Sequence, residues 1–292
     1  MDIKKNFYMI KAMIPITIGL SVVQISQVVD KIIGSTLDVG SITSIELSNK
    51  IIMIIYGILS SCIITIFSPI LSKKFLCEDK SEWIKVIQGL SKYMIILLVP
   101  ISFGCIILSS DLVSVIYGRG NFSNNDINFV AMAFLGNVIQ LPFLAIREII
   151  GQGFYSTKNT IVPAINGGIA VIINIILTII FSNLWGVFGI TLGTSISTIL
   201  GAILLLKSFK NKYDVFNLVD IIKCFTKVII SSLFMSLIVW IIRLTLVDVV
   251  GEFMVIVLSI LIGGLSYFAF SLILKINEVK ELTYYLLKNV RR

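Results

Sequence analysis

Residues 253–274 read FMVIVLSILIGGLSYFAFSLIL, twenty-two consecutive positions without a charged side chain. At about 1.5 Å per residue, a helix of this length crosses the ~30 Å hydrocarbon core of a bilayer. Working back toward the amino terminus, seven further apolar stretches occupy 221–243, 185–206, 161–182, 127–150, 84–108, 42–72 and 12–33. Most approach or exceed the ~20 residues that a spanning helix needs. The expected fold is all-α: a polytopic membrane protein of about eight transmembrane helices.

The connections set its orientation. Of the 24 Lys and Arg residues, twenty fall in the amino terminus, the second, fourth and sixth connections, and the carboxy-terminal tail. The opposite side holds only Arg119 and Arg243. The positive-inside rule then places both termini in the cytoplasm. Two basic residues are left over, Lys31 and Lys50, and both lie within apolar segments.

Apolar residues make up 57% of the chain and its mean hydropathy is +1.01, far outside the soluble range. The net charge of +8 would suit a nucleic-acid binder. Its spread over five cytoplasmic pieces instead reads as topology signals and contacts with anionic membrane lipid, with no nucleic acid. Cys62, Cys77, Cys105 and Cys224 form no CxxC pair, so neither a disulfide framework nor a zinc site is indicated. Histidine is absent, which removes the commonest general base. No Walker A loop, HExxH or nucleophile elbow occurs, and Gly151-Gln152-Gly153 is too short for a dinucleotide fingerprint. The chain is not read as an enzyme. The first apolar stretch is long and starts after Lys11, unlike a cleavable signal peptide.

Short connections make neighbouring helices antiparallel, and no soluble domain is inserted. The longest polar pieces are 73–85, 109–126, 207–220 and the tail. The tail carries Leu282, Tyr285 and Leu286 among Glu and Lys, the pattern of a short helix on the cytoplasmic surface; a frayed, solvated end is the alternative. Pro15, Pro69, Pro100, Pro142 and Pro163 all lie in or beside helices, where each removes a backbone hydrogen bond. Gly189, Gly193, Ser197 and Gly201 recur every four residues, a small-residue face for close helix packing.

Polar residues inside the spans are the candidate functional groups. The first span carries Thr17, Ser21, Gln24, Gln27, Asp30 and Lys31, whose spacings of three and four place most of them along one broad stripe. Facing lipid, such a stripe would be costly, so it should face protein or a water-filled cavity; the plainer reading has Asp30 and Lys31 snorkelling at the helix end. In the second span Glu46 precedes Lys50 by four residues, the spacing of a helical ion pair. Lys50 is either half of that structural pair or a cation offered to an anionic substrate. Asn137 and Gln140 precede Pro142, and Arg147 with Glu148 reads as an interfacial anchor. Asn166, Asn174 and Thr178 lie in the fifth span, and Thr191, Thr194, Ser195, Ser197 and Thr198 in the sixth. Helix–helix hydrogen bonds account for such groups; oxygens converging from several helices would also suit a sodium ion.

Ordered motifs then point to a family. Tyr117-Gly118-Arg119-Gly120-Asn121-Phe122 resembles the Y-G-R-G-x-F signature of the MurJ (MviN) family of lipid II flippases. Residues 27–34, QVVDKIIG, resemble that family's seventh helix. The segment from Ser48 to Lys73, with Asn49-Lys50 and Phe67-Ser68-Pro69-Ile70-Leu71-Ser72, resembles its eighth. Phe154-Tyr155, Lys158-Asn159-Thr160 and Pro163 resemble the turn between helices ten and eleven. Gly186-Val187-Phe188-Gly189-Ile190 with Gly193-Thr194-Ser195 resembles the start of helix twelve. The resemblance implies a fold of the MOP superfamily, with two six-helix lobes facing a central cavity, followed by two extra helices. Residues 1–206 would be the second lobe, 207–220 a cytoplasmic connection, 221–274 the two additional helices and 275–292 a cytoplasmic basic tail. Function follows by the same resemblance: translocation of a lipid-linked diphosphate-sugar, the peptidoglycan precursor lipid II, across the bacterial cytoplasmic membrane by alternating access.

The site residues carry over one by one. Lys50 stands where the family has a cavity arginine; it keeps the charge without the bidentate fork. Lys31, Gln24, Gln27 and Asn49 would line the same cavity wall. Family members with a sodium site use an acid, Asn, a second acid and Thr. Here Asp30, Asn174 and Thr194 match, while Thr178 replaces the second acid. Sodium is the one cofactor candidate. The family's first lobe has no counterpart in these residues, which leaves a separate amino-terminal lobe chain, a homodimer or a truncated gene product as expectations. The rival functions are an exporter of another lipid-linked polysaccharide or of a drug, and a non-transporting scaffold or remnant.

Overall fold

The computed structural model describes residues 24–76 and 80–281. Pro15, Thr17, Ser21, Cys77 and the tail residues Leu282, Tyr285 and Leu286 lie outside the described residues. What is described is helical, without strands: α1 (24–34), α2 (Ser41–Cys62), a π-helical turn (Ile63–Phe67), α3 (Ser68–Leu76), α4 (Lys80–Ile107), α5 (Ser109–Tyr117), α6 (Asn124–Val138), α7 (Leu141–Ser156), α8 (Ile161–Lys212), α9 (Leu218–Val250) and α10 (Glu252–Ile273). The π turn sits just before Pro69, whose missing N–H interrupts the ladder there.

Helix α8 is not one rod. Gly186 has φ 56° and ψ −131°, a conformation closed to residues with a Cβ, and the chain reverses there. The arms 161–185 (α8a) and 187–212 (α8b) run antiparallel: Asn174 Nδ2 donates to Thr194 Oγ1 at 3.0 Å, and Asn166 Nδ2 to Ser208 Oγ at 3.4 Å. The four-residue small face of α8b is spent on this contact. A Cβ on Gly189 would lie 1.9 Å from the Phe181 carbonyl oxygen, and one on Gly193 3.1 Å from the Thr178 nitrogen. The packing reading of that face holds, and the two spans expected here meet at Gly186.

Among the described residues four helices are long and apolar enough to cross a membrane, α4, α8, α9 and α10, and the α6–α7 pair, bent by 42°, is apolar enough to count as a fifth when its two helices are taken as one span. The reversal in α8 adds another. One expectation needs correcting: 109–126 is not all connection, because Ser109–Tyr117 forms α5 and buries Asp111 and Val113.

The chain divides into two compact units, Met1–Ile87 with Met132–Phe216, and Gln88–Ala131 with Asn217–Arg292. One end of the first unit is closed by aromatics. Trp83 is fully buried, donates to Ser156 Oγ at 3.1 Å and packs on Phe75, Phe209 and Tyr213. Phe154 meets Phe209 edge-on at 5.3 Å. Elsewhere in this unit buried polar groups, among them Asp30, Ser48, Asn137, Gln140, Asn174, Thr178 and Thr198, lie among buried apolar side chains, and that is where the candidate site lies.

The second unit packs apolar side chains. Leu108, Met235, Val239 and Val255 form its core, flanked by Phe103, Leu112 and Tyr267. Arg243 grips the buried Asp111 through Nε at 2.5 Å and Nη2 at 3.3 Å, as half of a forked ion pair. Lys92 pairs with Glu278 at 2.9 Å, and residues 277–281 are helical. The Tyr117–Phe122 motif is a tight turn. A Cβ on Gly118 would lie 2.4 Å from the Ser114 carbonyl oxygen, Gly120 has φ 65°, and the Tyr117 and Phe122 rings close over it at 6.3 Å. Ser123 then caps α6: its amide donates to Asp126 Oδ2 at 2.9 Å and its hydroxyl accepts the Asp126 N–H at 3.3 Å. Both donors from Ser123, the hydroxyl and the amide, hold the Asp126 carboxyl below the usual range.

Candidate functional site

Helix α1 turns Ser26, Asp30 and Gly34 inward, a stripe with the four-residue spacing of one helix face. Asp30 is 8% exposed and meets two arms of one hairpin. Thr178 Oγ1 of α8a donates to its Oδ1 at 3.2 Å, and Thr194 Oγ1 of α8b to its Oδ2 at 3.2 Å. Asn174 donates to Thr194, and Ser26 donates to the Asn174 side-chain carbonyl. The four residues expected to hold a cation, Asp30, Asn174, Thr178 and Thr194, are therefore brought together, with Ser26 added. Among the described residues no Lys or Arg pairs with Asp30. One unpaired carboxylate beside amide and hydroxyl oxygens is a donor set for a hard cation of low charge.

Ser26, Asp30, Asn174 and Thr194 of this cluster form one wall of a cleft of about 310 Å³ within the first unit, with Thr178 behind them. Its polar lining also includes Gln27, Asn49, Tyr56, Asn137, Gln140, Arg147 and Thr198, with Ile45, Ile52 and Met53 beside them. A hydrogen-bonded chain crosses it. Asn137 Nδ2 donates to Ser48 Oγ and Asn49 Oδ1, each at 2.8 Å. Gln140 Nε2 donates to Asn137 Oδ1 at 3.1 Å, and Thr198 Oγ1 donates to Gln140 Oε1 at 3.0 Å.

The substrate candidates divide. Gln27 and Asn49 line the cleft, whereas Gln24, Lys31 and Lys50 are exposed outside its lining. The expected Glu46–Lys50 pair does not form. Glu46 instead binds Lys31 at 2.8 Å across the α1–α2 contact. Helix α2 has two faces, which explains the outcome. Ser41, Ser44, Ile45, Ser48, Ile51 and Ile52 are buried, while Lys50, Met53, Ile54, Gly57, Ile58 and Ser61 form an exposed stripe. Lys50 is the single charge on that stripe, and no ion pair holds it among the described residues.

Arg147 and Glu148 are not an interfacial anchor. Arg147 lines the cleft and also a second one of about 250 Å³ with Gln152, Tyr155 and Asn166. Glu148 accepts hydrogen bonds from Tyr56 and, at 2.7 Å, from Ser60. Tyr56 and Ser60 stand four residues apart on α2, a signal that shows a shared face but names no partner. Ser26 was missed as well. Its only trace in the sequence is its place one turn before Asp30.

Known proteins share this architecture. The family model "Lipid II flippase MurJ" matches residues 4–274. A probable lipid II flippase MurJ from Thermotoga maritima is 26% identical over 263 residues, covering 90% of this chain and 52% of that protein. The chain spans about half the length of the curated relatives it matches. A lipid II flippase MurJ structure in an inward closed conformation superposes with a TM-score of 0.77 at 29% identity, covering 94% of this chain and 56% of the other. An outward-facing MATE family multidrug resistance transporter of the MOP superfamily shares the fold, with a TM-score of 0.62 at 18% identity over 96% of this chain and 68% of its own. This multi-pass, all-helical membrane chain belongs to the MurJ family of lipid II flippases.

Proposed function

We propose that the chain supplies one lobe of a lipid II flippase and moves a lipid-linked diphosphate-sugar between leaflets by alternating access against a companion lobe. One observation carries this reading: a cleft inside apolar spans that gathers charged and amide side chains, bordered by an α2 face that is exposed and bears the unpaired cation Lys50. A lipid-facing stripe has no use for a mid-span lysine, which costs about 2.5–3.5 kcal/mol on insertion scales. A face that meets a diphosphate does. Lys50 contacts the diphosphate as a point charge, Lys31 stands beside it through Glu46, and Gln24, Gln27 and Asn49 offer amides to the sugar head. The lobe comprises 1–206, followed by the connection 207–220, the helices of 221–274 and the basic tail, with both termini cytoplasmic.

Sodium fits the Asp30 cluster by charge and by donor type. Asp30, the Asn174 carbonyl and the hydroxyls of Thr178 and Thr194 would hold it, and the ion would supply the positive charge that the buried carboxylate lacks. The test of function is genetic. Lys50→Ala in the native gene, in cells depleted of any other lipid II flippase, should abolish growth while the protein still accumulates in the membrane. Normal growth of that strain overturns the assignment.

A further inference from the structure

We propose that Asn137 and Gln140, at the break between α6 and α7, are positioning residues that carry the state of the Asp30 site to the substrate-facing helix α2. The proposal rests on the cation reading above. Helix α6 ends at Val138, and α7 begins at Leu141 with Pro142 in its first turn. A break of this kind strips the last carbonyls of α6 of their helical donors. The end of α6 is instead pressed onto α8b. Ser195 donates to the Gly136 carbonyl, and a Cβ on Gly136 would lie 2.1 Å from Thr191 Oγ1.

The side chains at the break have forced directions. The Asn137 amide sends both its protons to α2, to Ser48 and Asn49, so its carbonyl must accept. It accepts from the Gln140 amide, whose carbonyl in turn takes the Thr198 hydroxyl. Ser48, Asn137, Gln140 and Thr198 are all buried, at 0%, 1%, 6% and 5% exposure. At this burial each side chain takes its hydrogen bonds from the others in the chain, so a shift at one member passes to the next.

Thr198 is the element with two settings. Its one proton has two acceptors, Gln140 Oε1 at 3.0 Å and the Thr194 carbonyl at 2.9 Å. Thr194 is also the residue whose hydroxyl donates to Asp30. With a cation held at Asp30, the Thr194 hydroxyl would turn its oxygen toward the ion, and the Thr194 carbonyl that competes for the Thr198 proton would move with it. When the proton goes to Thr194, the Gln140 carbonyl loses its donor, and the amide chain that fixes the Asn49 side chain is released. Coupling of this kind needs a two-state element biased from both ends, and Thr198 provides it.

The test is hydrogen–deuterium exchange on the full chain in lipid nanodiscs, comparing sodium chloride with equal choline chloride. In the unmodified chain sodium should slow exchange in 26–34 and 190–198, and should change exchange in 45–56 by about fivefold or more, the lower end of ordinary allosteric coupling. Asn137→Ala and Gln140→Ala should keep the first response and lose the second. Thr198→Val, close to isosteric, cuts the same link and should behave alike even where the alanine variants fail to fold. Retention of the 45–56 response in Gln140→Ala or Thr198→Val overturns the relay, as does a sodium response at 190–198 without one at 45–56 in the unmodified chain. A chain that ignores sodium everywhere overturns the cation reading first, and the relay with it.

Discussion

Replacing Tyr267 with Phe removes one oxygen from α10, and its cost is set by a proline on another helix. In α4 the Ile96 carbonyl should accept the N–H of residue 100, but that residue is Pro100 and has none. Tyr267 Oη donates to this carbonyl at 2.8 Å, and Ile96 is buried at 8% exposure. Interhelical hydrogen bonds in membrane proteins average only ~0.6 kcal/mol, because the groups find other partners when the helices separate. This acceptor has lost its helical partner by covalent structure, and leaving a buried carbonyl orphaned costs about 1–3 kcal/mol. We therefore expect Tyr267→Phe to destabilise by about 1–2 kcal/mol, nearer the orphan value than the average bond. The cause is isolated by a double-mutant cycle. Pro100→Ala restores the N–H, so in that background Tyr267→Phe should lose most of its effect, a coupling of about 1 kcal/mol. Equilibrium unfolding in mixed micelles measures all four proteins. Additivity within about 0.3–0.5 kcal/mol would refute the reasoning, because the tyrosine would then be serving something other than the proline's orphan.

Asp30→Asn should abolish sodium-dependent thermal stabilisation, read as a melting shift that distinguishes sodium from choline in the unmodified chain only. Gly136→Ala forces a Cβ to within 2.9 Å of the Leu192 nitrogen, a backbone atom, and should cost about 2–3 kcal/mol in the same unfolding assay. Gly167→Ala, which meets nothing within 4 Å, should be neutral or slightly stabilising. Arg243→Ala strands the Asp111 carboxylate; with the arginine one-third exposed, a loss of about 2 kcal/mol is expected, below the 3–5 kcal/mol of fully buried pairs. Arg243→Lys should recover only part of it, since the fork is lost. Because its folded carboxyl is held low, Asp126 contributes above its ordinary pKa of about 3.9, and that contribution disappears as pH falls through the lower folded value. Amide protection at 124–128, with exchange corrected for the pH dependence of the intrinsic rate, should therefore fall on acidification, and unchanged protection would exclude the cap.

The spans were legible because lipid imposes length and composition on each helix separately. Even the turn inside α8 was visible, as the gap between two apolar runs at Asn183–Leu184. The Asp30 cluster was legible only through motif order, since its members stand 148 and 164 residues apart and no periodicity links them. Lys31 and Glu46 illustrate the opposite case. The rule that pairs residues four apart on one helix favoured Lys50, yet α1 lies close enough for Lys31 to win, and a single helix cannot reveal its neighbours' reach. Arg147 was misjudged for a related reason: a charge near a span end looks the same whether it snorkels outward or turns into a cleft.

The hairpin of α8 has a consequence for biogenesis. From Asn159 to Leu206 it contains no Asp, Glu, Lys or Arg, so both arms can partition into the bilayer without the penalty of a charged side chain. The carboxylate that its threonines serve arrives on α1, which leaves the ribosome well before the hairpin does. Thr178 follows Asp30 by 148 residues and Thr194 by 164. At ordinary translation rates that is a wait on the order of ten seconds. During it the acid lacks the hydroxyls that later hold it, so the Asp30 cluster is completed only when the hairpin docks, after α1 and α2 have been able to meet through Lys31 and Glu46.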